Sequence, residues 1–266
     1  MVKKVEVNNF AKRLKSMLCV DFKRMFTMPL FYIMVGVSFV VPILILVMTS
    51  MMAGSAVPDQ TGGEAVMEGF TNVWQIIGSA GGENSAMSMS ITSMCNINMM
   101  FFLIAVFVCV FVADDFRSGY AKNLFTVRSK KLDYVISKLI VTFVAGACML
   151  VAFFIGAMIG GAVAGLPFNL EGITAGNIVM SMLSKIFLVA IFVSIYLIAS
   201  VFAKQRLWLS IILSLAIGML FFTMIPMITP LNAGILNVIL CFAGGAGFSA
   251  LFSYLSTLIL NKIDIL

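Results

Sequence analysis

The chain has 266 residues, 62% of them hydrophobic and only 11% charged, with a mean hydropathy of +1.12. A soluble domain is typically about half apolar and a quarter charged, so this balance excludes a soluble enzyme, a disordered tail and a nucleic-acid-binding domain, despite a net charge of +6. Histidine is absent and the five cysteines form no C-x-x-C pair, which removes His-dependent catalysis, His-ligated haem, a zinc site and a disulfide framework.

Residues 1–29 form a polar N-terminal segment. Within it, the spacing predicts an amphipathic helix over 8–28, with Phe10, Leu14, Met17, Leu18, Phe22, Met25 and Phe26 on one broad face. Lys12, Arg13, Ser16, Lys23 and Arg24 fall on the other face, the arrangement of a helix lying at the interface of a membrane with anionic headgroups. Asp21 breaks the apolar face. An i,i+3 pair with Arg24 is the simplest account of it, and contact with a partner protein is the alternative.

Six apolar runs follow, at 30–52, 97–113, 139–166, 186–203, 207–225 and 235–260. About 20 residues of helix cross a hydrocarbon core, and backbone groups in lipid must be satisfied internally, so each run is expected as a transmembrane helix. A cleaved signal peptide is the competing reading of the first run. Its polar region of 29 residues and apolar run of 23 are both too long for that. Sixteen of the 17 Lys and Arg lie in the N-terminal segment, the loop 114–138, the turn before run five and the tail. The remaining loops carry Lys185 and five acids (Asp59, Glu64, Glu68, Glu83, Glu171). Positive charge marks the cytoplasmic side. The expected fold is therefore an all-α, six-span membrane protein with both termini cytoplasmic, its interfacial helix preceding a transmembrane domain at 30–266.

Several features between and within the spans invite functional readings. The loop 53–96 is too polar for another span, and a short helix is expected near 70–77. Gly156, Gly160, Gly161 and Gly165 recur at four-residue spacing, which favours close helix packing, first within the protomer and secondarily at a dimer seam. Gly244, Gly245 and Gly247 raise the alternative of a re-entrant break in the sixth span. Lys185 is the one ionisable residue at intramembrane depth, and snorkelling to the outer interface is the leading expectation for it. The methionines around Cys95 (Met87, Met89, Met94, Met99, Met100) read first as lipid-compatible filler, then as adaptable substrate contacts, and last as Cu(I) ligands. Gly247-Phe248-Ser249 cannot mark a serine nucleophile in a chain without a histidine base. No G-x-x-x-x-G-K-[ST] occurs, so the chain has no P-loop of its own.

The loop 114–138 carries the strongest pattern. Asp114 and Asp115 end the second span, where the helix dipole disfavours acids, so they are expected to pair with Arg117 or with a cation from a neighbouring segment. Tyr120, Leu124 and Val127 follow the i, i+4, i+7 spacing of a short amphipathic helix that could present a knob to a partner. The acid pair, Gly119, Leu124-Phe125, Arg128-Ser129 and Lys138 come in an order and approximate spacing that resemble the ABC-2 type permeases, the membrane subunits of ATP-binding-cassette exporters. Two positions depart from that pattern: no proline precedes Arg128, and Tyr120 stands where a small residue is common.

The resemblance implies a homodimer or heterodimer of permease chains in the cytoplasmic membrane, with two separate ATPase subunits that bind ATP and Mg²⁺. This chain would itself hold no cofactor and no metal. Closure of the ATPases would be transmitted through the interfacial helix (Phe10, Leu14, Leu18, Phe22, Phe26) and through Asp114, Asp115, Arg117, Gly119, Tyr120, Leu124, Phe125 and Arg128. The substrate path would run between protomers, lined by spans one, two and five, and would carry an amphipathic peptide or lipophilic antibiotic outward. A stand-alone channel or carrier, a copper-handling permease and a membrane anchor or sensor are the competing functions.

Overall fold

The computed structural model describes residues 10–52, 56–58, 64–66, 69–78, 95–127, 131–169, 172–203, 206–222 and 224–262. In chain order, the helices are α1 (Phe10–Thr27), α2 (Pro29–Met52), α3 (Met100–Arg117), α4 (Tyr120–Val127), α5 (Lys131–Val163), α6 (Ala175–Ala203), α7 (Leu207–Phe222), α8 (Met224–Ile228) and α9 (Ile235–Lys262). Single 3₁₀ turns at Val73–Ile76 and Ile97–Met99 and a two-stranded antiparallel ribbon, β1 (Ala56–Pro58) and β2 (Glu64–Val66), complete the described elements. Asn72 and Asn96 cap the two 3₁₀ turns by accepting from Trp74 N and Asn98 N.

Among the described residues, five helices are long and apolar enough to cross a membrane: α2, the stretch from Ile97 through α3, α5, α6 and α9. The fifth expected span is broken into α7, of 16 residues, and the five-residue α8. At about 1.5 Å per residue, α7 alone is short of a hydrocarbon core. The sixth run is one unbroken helix over Ile235–Lys262, so the three glycines make no re-entrant break. Helices α5 and α6 begin at Lys131 and Ala175, well before the apolar runs at 139 and 186. In α5 the early polar residues are paired inside the protein, Lys131 with the Leu260 carbonyl and Asp133 with Arg13, so that helix continues past the point where composition alone marks an end.

Helix α3 is the most enclosed span and α6 the next, whereas α2 and α9 keep most of their surface outward. The strongest packings are α9 on α6, α2 on α5, and α3 on α6. Glycine sets the α2–α5 approach. A Cβ at Gly156 would collide with the Phe39 carbonyl, and one at Gly160 would stand 2.7 Å from Ile43 Cα. Gly161 likewise accommodates Val73 of the first 3₁₀ turn. This small-residue face is therefore packed within the chain, as first expected. Gly165, at φ +68°, ends α5 in a conformation that side chains resist, with Leu166 N donating to Gly161 O at 3.0 Å. Hydroxyls join further helices: Ser210 donates to Ser200 at 2.9 Å, and Ser249 lies 3.0 Å from Ser194. Ser249 thus serves helix packing.

Because Gly156 meets backbone, a side chain there forces α2 and α5 apart, and overpacking typically costs about 1–3 kcal/mol. Gly156→Val is expected to lower the unfolding temperature in detergent, while Gly36→Ala, where a Cβ meets nothing within 4 Å, leaves it unchanged or slightly raised.

Candidate functional site

One end of the bundle gathers α1, the C-terminus of α3, α4 and the N-terminal half of α5. Helix α1 buries Met17, Asp21 and Met25, three positions one turn apart, against α5. The predicted apolar face is therefore divided. Leu18 and Phe22 pack partly against the core, whereas Phe10 and Phe26 remain 44% and 49% exposed, and Leu14 is half-buried.

The line of contact carries alternating charge. Lys138 Nζ lies 2.9 Å from Asp21 Oδ1 and 2.7 Å from Asp115 Oδ2, and all three side chains are fully buried. Arg24 Nη1 reaches Asp115 Oδ1 at 2.5 Å, while its Nη2 stands 3.4 Å from the half-exposed Asp114. Ser137 Oγ donates to Asp21 Oδ2 at 2.6 Å and Tyr134 OH to Asp115 Oδ2 at 2.8 Å, so both oxygens of each buried carboxylate are occupied. Aromatic faces close the cluster: the Arg24 guanidinium sits 4.4 Å from the centre of Tyr120, and Lys138 Nζ 4.1 Å from that of Phe111. Burial opposes the charge on Arg24. The attraction and hydrogen bond of Asp115, with Asp21 beyond, outweigh it and leave the Arg24 pKa raised.

These contacts correct one sequence expectation and decide between the two alternatives of another. Asp21 pairs across helices with Lys138, whereas the local i,i+3 pair with Arg24 is not made. The cations that meet Asp114 and Asp115 come from α1 and α5, and Arg117 is exposed and makes none of these pairs. Gly119 takes φ +73° in the turn between α3 and α4, a conformation that favours glycine. Leu124 and Phe125 pack partly against the core, with the Phe125 ring set edge-on to Tyr134 at 5.2 Å. Arg128 lies outside the described residues, as do Met87, Met89 and Met94. Tyr134, Ser137 and the pairing of Lys138 escaped the sequence reading. The available signal was a lysine and an aspartate inside otherwise apolar helical faces.

The sequence matches the family described as ABC-2 family transporter protein over residues 22–221. The chain belongs to the ABC-2 transporter family. No curated protein and no solved structure matches it. In this membrane component of an ABC-2 transporter, the buried ion cluster ties helix α1 to α3, α5 and the short helix α4. A second ion pair, Arg13 to Asp133 at 2.9 Å, extends this tie along α1. Lys131 Nζ donates to the Leu260 carbonyl at 2.6 Å, joining the end of α9 to the same side.

Lys185 departs from expectation at the other end of the bundle. It does not snorkel outward. It is fully buried, and its ammonium donates to Thr229 Oγ1 at 2.8 Å, the Thr229 carbonyl at 3.1 Å and Asn98 Oδ1 at 3.3 Å.

Removing one member of a buried ion cluster leaves its partners uncompensated, typically at a cost of about 3–5 kcal/mol. Lys138→Met strands Asp21 and Asp115 together and is expected to destabilise the chain by that order in denaturant unfolding. Asp114→Asn removes only the exposed edge of the cluster and is expected to cost no more than about 1 kcal/mol.

Proposed function

We propose that the chain is the permease subunit of an ABC exporter, moving an amphipathic or lipophilic substrate outward with ATP hydrolysed by two separate subunits. In this reading two such chains pair as a homo- or heterodimer in the cytoplasmic membrane. Each has six spans, α7 and α8 together forming the fifth, and both termini are cytoplasmic. The distribution of Lys and Arg supports that orientation. It puts α1, α4 and the ion cluster on the side where a cytoplasmic ATPase would dock.

The observation that carries the proposal is the ion cluster itself. A push on α4 has nowhere soft to dissipate: Gly119 sets its turn, Phe125 meets Tyr134, and Tyr134, Arg24 and Lys138 all converge on Asp115. Movement of the short helix would therefore carry α1, α3 and α5 with it as one body. The exposed edge of the cluster and of α4, including Asp114, Lys122 and Asn123, is the surface that would receive the ATPase. The apolar exterior of α2 and α9 suits lipid or a second protomer.

The test begins with the complex purified from its native membrane. A Walker-motif ATPase is expected to co-purify. Asp114→Lys is expected to leave the complex assembled and ATP hydrolysis within about three-fold of wild type, while ATP-driven efflux falls at least ten-fold. Efflux that continues at the wild-type rate in this variant would remove the coupling role. Solute flux through liposomes carrying this chain alone would favour the channel or carrier instead.

A further inference from the structure

Helices α6, α7, α8 and α9 line a partly open cavity of about 630 Å³ whose lining is wholly apolar, with Leu188, Phe192, Ile225, Ile228, Phe248 and Phe252 among its walls. Of the spans that the resemblance placed along a substrate path, one, two and five, only the fifth lines this volume, as α7 and α8, together with α6 and α9. Such a lining accepts the body of a lipophilic molecule but offers nothing to orient it.

The Lys185 cluster adjoins lining residues of the cavity along two helical segments. Lys185 is one helical turn from Leu188, and Thr229 follows Ile228 and donates its hydroxyl to the Ile225 carbonyl at 2.8 Å. The three acceptors around the ammonium are neutral, and no carboxylate among the described residues pairs with it. Neutral oxygens satisfy its protons but do not cancel its charge, which is costly in a low-dielectric interior. Around it, two buried polar groups lack any partner: the amide Nδ2 of Asn98, which touches Lys185 through its other atom, and the hydroxyl of Ser181 one turn away on the same helix, while the Ser184 hydroxyl meets Cys241. A buried ammonium without a counter-charge and donors without an acceptor call for the same complement, an anionic oxygen.

We infer that the cavity and the Lys185 cluster form one site for an amphipathic carboxylate, its apolar body among Phe192, Ile228 and Phe248 and its carboxylate on Lys185 and Asn98. The inference rests on the transport reading and names the substrate class for it. Lys185 is sealed in this conformation, so the head group enters as the segment of α8 and Thr229 moves aside, and a Thr229 contact is exchanged for the carboxylate. A long-chain fatty acid and the free C-terminus of an apolar peptide share this chemistry.

The full-length chain in phosphatidylcholine nanodiscs is titrated with a fluorescent fatty acid and its methyl ester, and with an apolar tetrapeptide as free acid and as amide. At least one acid is expected to bind ten-fold or more tightly than its neutral counterpart, and which pair shows the difference identifies the source. Lys185→Met is expected to reduce that preference below two-fold with the neutral form's affinity unchanged. Ile195→Trp, which fills the cavity, weakens acid and neutral forms alike. Should Lys185→Met not fold, Asn98→Leu reads the same preference and is expected to lower it at least three-fold. Equal binding of acid and neutral forms by the wild-type chain, or a preference that survives loss of Lys185 or of Asn98, overturns the inference. Binding is read without an ATPase, so its failure beside a co-purifying ATPase leaves the exporter standing, and the reverse outcome removes the exporter alone.

Discussion

A lysine and two aspartates with no exposed surface hold together the part of this molecule on which everything else leans. Lys138 lies between Asp21 and Asp115 at hydrogen-bonding distance from both, and Arg24 closes the chain of charges at Asp115. Each group alone would be prohibitive in a dry interior. Together they balance, because every carboxylate oxygen meets a cation or a hydroxyl. The cluster therefore selects one register of α1 against α5 and one rotation of α3 between them. A shift of α1 by one residue would carry Asp21 away from Lys138 and leave both charges stranded.

The bundle shows the same physics in opposite forms at its two ends. Around Asp115, opposite charges saturate one another and tie together the elements that carry them. Around Lys185, a cation is held only by neutral oxygens, with unpartnered donors beside it. The first arrangement suits a joint that transmits force. The second is incomplete, and incompleteness in a buried polar group is what a ligand can relieve. Between them, apolar side chains and glycine contacts bring helices close without directional bonds, as at Gly156 against α2 and Gly245 against the Phe187 carbonyl.

Much of the helical frame was legible from composition, and the interfacial helix, the short helix over Tyr120–Val127 and the acid pair at the end of α3 were found from spacing and charge. Boundaries were less legible. An apolar-run criterion stops at the first charge, whereas α5 runs back through Lys138 and Asp133 because both are paired inside the protein. The partners of the acids were invisible for a related reason: Arg24 and Asp115 are separated by 91 positions, and Asp21 and Lys138 by 117. Local spacing instead suggested Arg24 for Asp21, and for the acid pair it left Arg117 open beside an unnamed cation from a neighbouring segment.

Residue types alone determined that this is a membrane-embedded helical protein. Long apolar runs must form helices in lipid, because backbone groups there have no water to bond. Tertiary structure decided which charges meet, and with them which helices are joined at one end of the bundle. It also decided that Lys185 faces inward, beside an apolar cavity that no single segment forms. These outcomes depend on helices from distant parts of the chain arriving at one place, and burial there turns an ordinary charge into a constraint.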